Sequence, residues 1–545
     1  VTSTSPEEPL LHHPLLTALC LLAVLTLALA TAGCGRDEER PPAPTRAYDA
    51  EGRALRPLAL GAARPNVVVL LIDTLRADAV EPTLEIATPM PHLSKLASRS
   101  VCFTEASSAA PWTVPSVMSL FTGKLPREHG VTGVDLLGTR VAHLTTWAEV
   151  MRTSLGYQTC GLFGSLSAGM AAVLGDGFDT AREGFALQRI DAELDRWNAG
   201  RDPARPFFLY LHSFEAHDPY GEANHPPDGD QAEHSAQDQA EALSSLEALG
   251  AEPSIPELLL RSVTDSAQRL VLRQHPRFRS LQTELTRYLW SGLTTRPHPT
   301  IARQMAQAYR AGLTWVDGLI AHTVASLKRR GLLENTLLIV TGDHGEAFGE
   351  HGMLLHGRQV YDELVRVPLV LRGPPPFDRP QVIGGSVGLT DLFPSVLEWL
   401  GAHAPDDIEG RSFLPLLAAD GPGRPVEAHE VRTQDQTAGL SAAVLVSVRS
   451  SAWKYIGTFD ILTGTLTEEA YDLRADPEER RNRAGADGLV RGLPFDEAFC
   501  LSVERARDRL WEALSQRTWS ERQGYEAGAE TSPAARPDAT CLHPR

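Results

Sequence analysis

Three unbroken apolar runs constrain the chain more than any other feature: Val67–Ile72, Phe207–Leu211 and the stretch Thr336–Gly342. Runs without polar alternation are strands covered on both faces, the mark of a parallel sheet. Each run also ends on chemistry. The first meets Asp73, and the second continues into His212-Ser213-Phe214-Glu215-Ala216-His217-Asp218. The third delivers Asp343-His344-Gly345-Glu346. Open α/β sheets bind their ligands beyond the carboxyl ends of the strands. The pattern predicts an α/β fold, a mostly parallel sheet flanked by helices, with a metal or anion site at its strand ends.

Flanking helices are expected over His92–Ala97, Leu144–Met151, Ile301–Arg330 and Thr390–Leu400, with a further strand at Val367–Leu371. Residues 221–300 turn polar and helical and read as an insertion within a main domain spanning 65–425. Beyond it, Ala442–Leu473 alternates like an antiparallel sheet and Val503–Leu514 has helical spacing. These give a smaller C-terminal α+β unit over 426–515, followed by a disordered tail over 516–545. A chain of 545 residues accommodates one large domain with such a satellite. The formal net charge of −18 argues against nucleic acid, whose phosphates need basic patches. A small anionic ester remains compatible, because it meets local charge rather than the total.

Near the N-terminus an apolar run, Leu15–Ala30, precedes Thr31-Ala32-Gly33-Cys34. This resembles a bacterial lipoprotein signal with Cys34 as the lipidated residue, although Val1–Pro14 lacks the usual Lys or Arg. An uncleaved anchor is the alternative. Residues 1–34 are therefore read as signal or anchor and 35–64 as a linker. The body is expected to be extracytoplasmic and membrane-tethered. In that compartment Cys102, Cys160, Cys500 and Cys541 are free to form disulfides.

Individual residues carry competing readings. Asp73 reads as a turn cap or as a metal ligand. Asp343 and His344, with Gly345 allowing close approach, form the clearest metal-type pair. Thr113 lies in Ala110–Gly123, A-P-W-T-V-P-S-V-M-S-L-F-T-G, where Pro115 suits the first turn of a helix. On that stretch alone Thr113 is an N-cap. The same helix N-terminus would also favour an anion or alkoxide at its oxygen. His217 reads as a ligand or substrate contact, and His212 and His356 as either site or packing residues. Glu346, Glu350 and His351 read as solvated loop residues.

Several motifs then occur together. N-V-V-V-L-L-I-D-T-L-R-A-D is followed by T-P-M-P-H-L-S-K-L-A, T-V-P-S…T-G-K, H-D-P-Y and T-G-D-H-G-E, then by T-D-L-F-P-S, W-K-Y-I and Y-D-L-R-A-D-P-E-E. Their order, over roughly Pro65 to Asn482, resembles the sulfatase family of the alkaline phosphatase superfamily. The resemblance implies an alkaline-phosphatase-like sheet and metal-dependent ester cleavage. It implies Asp73, Asp343 and His344 as ligands of a divalent ion, with the Thr113 oxygen as a further ligand. Mn²⁺, Zn²⁺, Ca²⁺ and Mg²⁺ all remain open. Lys124 falls at a basic position of the family. His217 and His356 would bind the remaining ester oxygens, protonate the leaving group or hold a second metal.

Two departures qualify the resemblance. Sulfatases carry Cys or Ser, oxidised to formylglycine, where this chain has Thr113, and Arg where it has Val117. Thr cannot form that aldehyde. Thr113 is instead similar to the nucleophile of the superfamily's phosphodiesterases and lipoteichoic acid synthases. The expected activity is hydrolysis of phosphate esters through Thr113 and a covalent intermediate. The alternatives are transfer of a phospho-alcohol group to an envelope lipid or glycan, sulfate ester hydrolysis without formylglycine, and a binding protein that has lost catalysis.

Overall fold

A computed structural model describes residues 64–80, 88–132, 144–164, 169–220, 236–248, 255–265, 267–268, 271–272, 299–419, 421–432, 443–460, 465–486 and 488–515. The signal or anchor expected over 1–34, nearly all of the linker, the tail and Cys541 lie outside them. Among the described residues, no helix is long and apolar enough to cross a membrane.

Eight strands form the main sheet. In chain order they are β1 (Asn66–Ile72), β2 (Val101–Phe103), β3 (Gln158–Gly164), β4 (Thr180–Phe185), β5 (Phe207–Ser213), β6 (Thr336–Gly342), β7 (Leu369–Arg372) and β8 (Gln381–Ile383). Across the sheet they run β8-β2-β7-β6-β1-β5-β3-β4. Every pairing is parallel except those of β7, which is antiparallel to β2 and β6. The three apolar runs are thus adjacent at the centre, with β1 between β5 and β6. Val67, Val69 and Leu71 feed one core while Val68, Leu70 and Ile72 feed the other, so both faces are covered.

Helices supply the two covers. The chain contributes α1 (Pro91–Ala97), α2 (Thr113–Thr122), α3 (Trp147–Thr153), α4 (Ile190–Gly200), α5 (Ala236–Glu247), α6 (Ile255–Thr264), α7 (Pro299–Arg329) and α8 (Leu392–Trp399). α2, α3 and α8 pack on the first face, and α1, α4, α6 and α7 on the second. The sequence did not announce β3 or β4. Two glycines interrupt β3, and β4 is a polar strand at the sheet edge, where continuous apolar character is not required. No disulfide joins any two of Cys102, Cys160 and Cys500.

A second, four-stranded antiparallel sheet follows: β9 (Val426–Arg432), β10 (Ala443–Arg449), β11 (Trp453–Asp460) and β12 (Thr465–Asp472). α9 (Glu497–Ser515) covers one face through Phe499, Val503 and Leu510. The other face packs Leu445, Ile456 and Tyr471 against Ala347, Val360 and Leu364, in the segment that carries His356. A buried ion network spans the same junction. Asp362 takes Arg449 Nη2 and Lys454 Nζ, each at 2.8 Å, and Lys454 also lies 3.0 Å from Glu479. Lys454 is completely buried. Removing one partner of such a network leaves uncompensated buried charge, which costs about 3–5 kcal/mol. Lys454→Met should therefore lower the unfolding free energy by that amount in urea titrations. A loss below about 1 kcal/mol would show that the network contributes little.

His351, expected as a solvated loop residue, is packed instead. Its ring stacks on Tyr361 at 3.7 Å, Nδ1 donates to Glu363 at 2.8 Å, and Nε2 donates to the Glu479 carbonyl at 3.0 Å. Burial alone would favour the neutral ring, but the Glu363 carboxylate outweighs it and lifts the pKa to about 9. A raised histidine pKa stabilises fully below the unfolded value near 6.5 and is lost as pH rises through about 9. His351→Asn, which tolerates the left-handed backbone at φ 49°, should be less stable than wild type at pH 6. The difference should shrink by pH 9.5 in paired denaturation curves; a gap that persists would assign it to packing.

Candidate active site

β1 and β6 end side by side and present their next residues to one another. Asp73 follows β1, and Asp343 and His344 follow β6. Each of the three offers a ligand atom within 4.8 Å of the others, and all are fully buried. Asp343 Oδ1 accepts from the Thr74 and His344 backbone amides at 3.2 and 2.9 Å. Among the described residues, Asp73 Oδ1 and Asp343 Oδ2 have no hydrogen-bond partner. His344 Nδ1 donates to the Gly345 carbonyl at 2.8 Å, which leaves the Nε2 lone pair facing both carboxylates at 3.5 and 3.6 Å. Gly345 is required here, since a Cβ would fall 2.0 Å from the Glu363 carbonyl oxygen.

The electrostatics suit a bound cation. Burial raises the Asp73 pKa, and burial followed by the Asp73 charge raises that of Asp343 well above the carboxylate range. Burial holds the His344 imidazole well toward its neutral form. Two buried carboxylates with orphan oxygens beside a neutral imidazole match the donor set of a divalent metal. The residues present fit such an ion.

Thr113 completes the cluster. α2 begins at Thr113 itself, two residues earlier than Pro115 suggested, with Trp112 in the N-cap position. Thr113 therefore caps nothing. Its hydroxyl donates to Asp73 Oδ2 at 3.1 Å and lies 3.3 Å from His344 Nε2. Ser116, which the sequence reading passed over, fixes this end of the helix by donating to the Asp343 carbonyl at 2.6 Å. Val117 is buried in the core below, where the resemblance would have placed an Arg.

Three histidines, His356, His217 and His212, border the cluster. The His356 ring lies 4.6 Å from that of His344 and 5.0 Å from that of His217, centroid to centroid. His356 Nδ1 donates to Glu346 at 2.8 Å, and the Tyr220 hydroxyl donates to the other Glu346 oxygen at 2.9 Å. Glu346 is thus fully buried rather than a solvated loop residue, and Glu350 pairs with Arg76 at 2.8 Å. His217 Nδ1 donates to the Asp218 carbonyl at 2.7 Å. His212 is buried beside both carboxylates, and desolvation lowers its pKa to about 3. A cavity of about 490 Å³ opens nearby, lined by Arg76, Tyr309, Arg310, Phe348 and Glu350, but none of the cluster residues lines it.

Lys124 does not join the site. It follows the far end of α2, a helix about 15 Å long, and its ammonium pairs with Asp407 at 2.7 Å. The resemblance, which set Lys124 at a basic position of the family, says nothing of where its side chain pairs. Lys124→Ala should leave kcat/KM within about twofold of wild type, because a surface pair of this kind contributes under 1 kcal/mol. A hundredfold loss would return it to the site.

A mostly parallel sheet that delivers Asp, Asp and His to a helix-borne hydroxyl defines an alkaline phosphatase superfamily site. The sulfatase family profile matches residues 65–402, and an N-sulphoglucosamine sulphohydrolase C-terminal profile matches 349–489. The chain belongs to the sulfatase family. Arylsulfatase K of Xenopus laevis is 30% identical over 188 residues, 34% of each chain. The multifunctional alkaline phosphatase superfamily protein PehA of Trinickia caryophylli is 31% identical over 229 residues, 39% of this chain and 40% of its own. The match thus spans about a third of the length of such curated relatives. Among solved structures, the phosphonate monoester hydrolase of Agrobacterium radiobacter superposes with a TM-score of 0.55 at 19% identity, covering 83% of this chain and 95% of its own.

Proposed function

We propose that this protein is a divalent-metal-dependent hydrolase of phosphate esters that uses Thr113 as its nucleophile. The observation that carries the reading is the Thr113 hydroxyl, 3.1 Å from Asp73 and 3.3 Å from His344, within a buried cluster suited to a cation. Formylglycine chemistry does not suit this position, since oxidising the secondary alcohol of Thr gives a ketone rather than an aldehyde. A cation held by Asp73, Asp343 and His344 supplies a Lewis acid and lowers the pKa of a hydroxyl in its reach. Thr113 presents its oxygen at the N-terminus of α2, where the helix dipole favours developing negative charge. Its proton passes to Asp73 Oδ2, which already accepts from it, as the oxygen attacks phosphorus and the P–O bond to the leaving alcohol breaks. His356, held through Nδ1 by Glu346, hands a proton from Nε2 to that departing oxygen. Water then attacks phosphorus and gives a proton back to His356, the phospho-Thr113 ester breaks to release the phosphate product, and Asp73 returns its proton to the Thr113 oxygen. The N-terminal signal reading adds a tether at Cys34 and an extracytoplasmic location to the proposal.

The test is initial rate on matched aryl esters: phosphate monoester, phosphate diester and sulfate. Protein stripped of metal is reloaded with Mn²⁺, Zn²⁺, Ca²⁺ or Mg²⁺ in turn. Metal-dependent phosphoester turnover supports the reading; turnover of the sulfate alone would sink it.

A further inference from the structure

We propose that His212 is a further ligand of the cation held by Asp73, Asp343 and His344. The centre would then join two imidazoles to two carboxylates and select a first-row transition ion over Ca²⁺ or Mg²⁺. This rests on the reading that the cluster holds a divalent cation, but not on the reaction assigned to it.

His212 lies in β5, in register with Leu71 of the neighbouring β1. Adjacent strands in register share a sheet face, and so do residues two apart along a strand. His212 therefore sits on the face to which Leu71 and Asp73 belong, the face covered by α2 and Thr113. Its Nε2 is 3.9 Å from Asp73 Oδ2 and 4.0 Å from Asp343 Oδ2. The ring is completely buried, and neither nitrogen has a hydrogen-bond partner among the described residues. Packing against Phe214, at 4.5 Å between centroids, accounts for the ring but not for its nitrogens.

The unmatched atoms explain one another once a cation is placed among them. His212 Nε2 is too far from either carboxylate for a hydrogen bond. Two donors bound to one ion at about 2.1 Å stand up to about 4.2 Å apart, and His212 Nε2 stands inside that limit from one oxygen of each carboxylate. Of these, Asp343 Oδ2 is an orphan, while Asp73 Oδ2 accepts from Thr113. His212 lies outside the 4.8 Å grouping of Asp73, Asp343 and His344, so its ring has to draw toward them when the ion binds. A second neutral imidazole also changes which ion is held. Ca²⁺ and Mg²⁺ take oxygen ligands, whereas imidazole nitrogen suits Zn²⁺ and its first-row neighbours.

Full-length protein stripped by chelation and reloaded with Mn²⁺ alone should show two coupled imidazole nitrogens in pulsed EPR. His212→Phe keeps the ring shape, suits the aromatic surroundings and removes both nitrogens. It should show one coupled nitrogen and bind Zn²⁺ about 10–100-fold more weakly in competition with a chelating dye. Its Ca²⁺ affinity should move less than its Zn²⁺ affinity. One nitrogen in wild type, or unchanged Zn²⁺ affinity in the variant, would overturn the assignment. If the variant fails to fold, the wild-type nitrogen count decides alone. A one-nitrogen centre with full phosphoester turnover rejects His212 and spares the hydrolase reading. Two nitrogens without turnover do the reverse.

Discussion

Thr113→Ala should lower phosphoester turnover by roughly 10⁴-fold or more while the protein keeps its metal. The Thr113 hydroxyl heads α2 and faces the cluster, and no other Ser, Thr or Cys hydroxyl or thiol is hydrogen-bonded to Asp73 among the described residues. Asp73, Asp343 and His344 remain in place without it, so metal content by mass spectrometry should stay near one ion per chain. Residual rate would come from cation and helix N-terminus acting on a water attack. Thr113→Ser should recover most of the activity, because it restores a hydroxyl at the same helical position. A Thr113→Ala protein with a rate within tenfold of wild type would move the nucleophile elsewhere.

Asp343→Asn should act in opposite directions on the two forms of the protein. In the metal-free form two buried carboxylates lie side by side with orphan oxygens, and burial, joined at Asp343 by the Asp73 charge, raises both pKa values. Removing one charge should stabilise that form by about 1–3 kcal/mol in denaturant titrations. In the loaded form the same change removes an anionic ligand, so metal affinity and turnover should both collapse. Wild type at 100 times its dissociation constant gains about 2.7 kcal/mol from the ion, and the variant should show no such gain. A variant less stable than wild type without metal would mean that Asp343 holds the fold and not the cation.

The sheet and the buried group of Asp73, Asp343 and His344 were largely legible because they share one cause. β1, β5 and β6 are buried on both faces, which writes them as unbroken apolar runs, and the three residues follow directly at the ends of β1 and β6. Thr113 was legible only through its family setting, since a Thr ahead of a helix is ordinarily a cap. What failed to show depended on contacts between distant segments. Glu346 looks like any acid in a glycine-rich loop until Tyr220, 126 positions away, and His356 close on it. Lys124 reads into the site from the family's basic position, and only the structure shows it beyond the far end of α2, paired with Asp407. The His212 ring lies among residues that only the strand order β6-β1-β5 brings together.

The central claim is a covalent ester at Thr113, and acid-quenched turnover followed by peptide mass spectrometry tests it most directly. With an aryl phosphate ester in excess, a phosphoryl group should appear on the peptide carrying Thr113 and vanish in Thr113→Ala. Full turnover with that peptide unmodified at every quench time, and water attacking phosphorus in a single step, would contradict it.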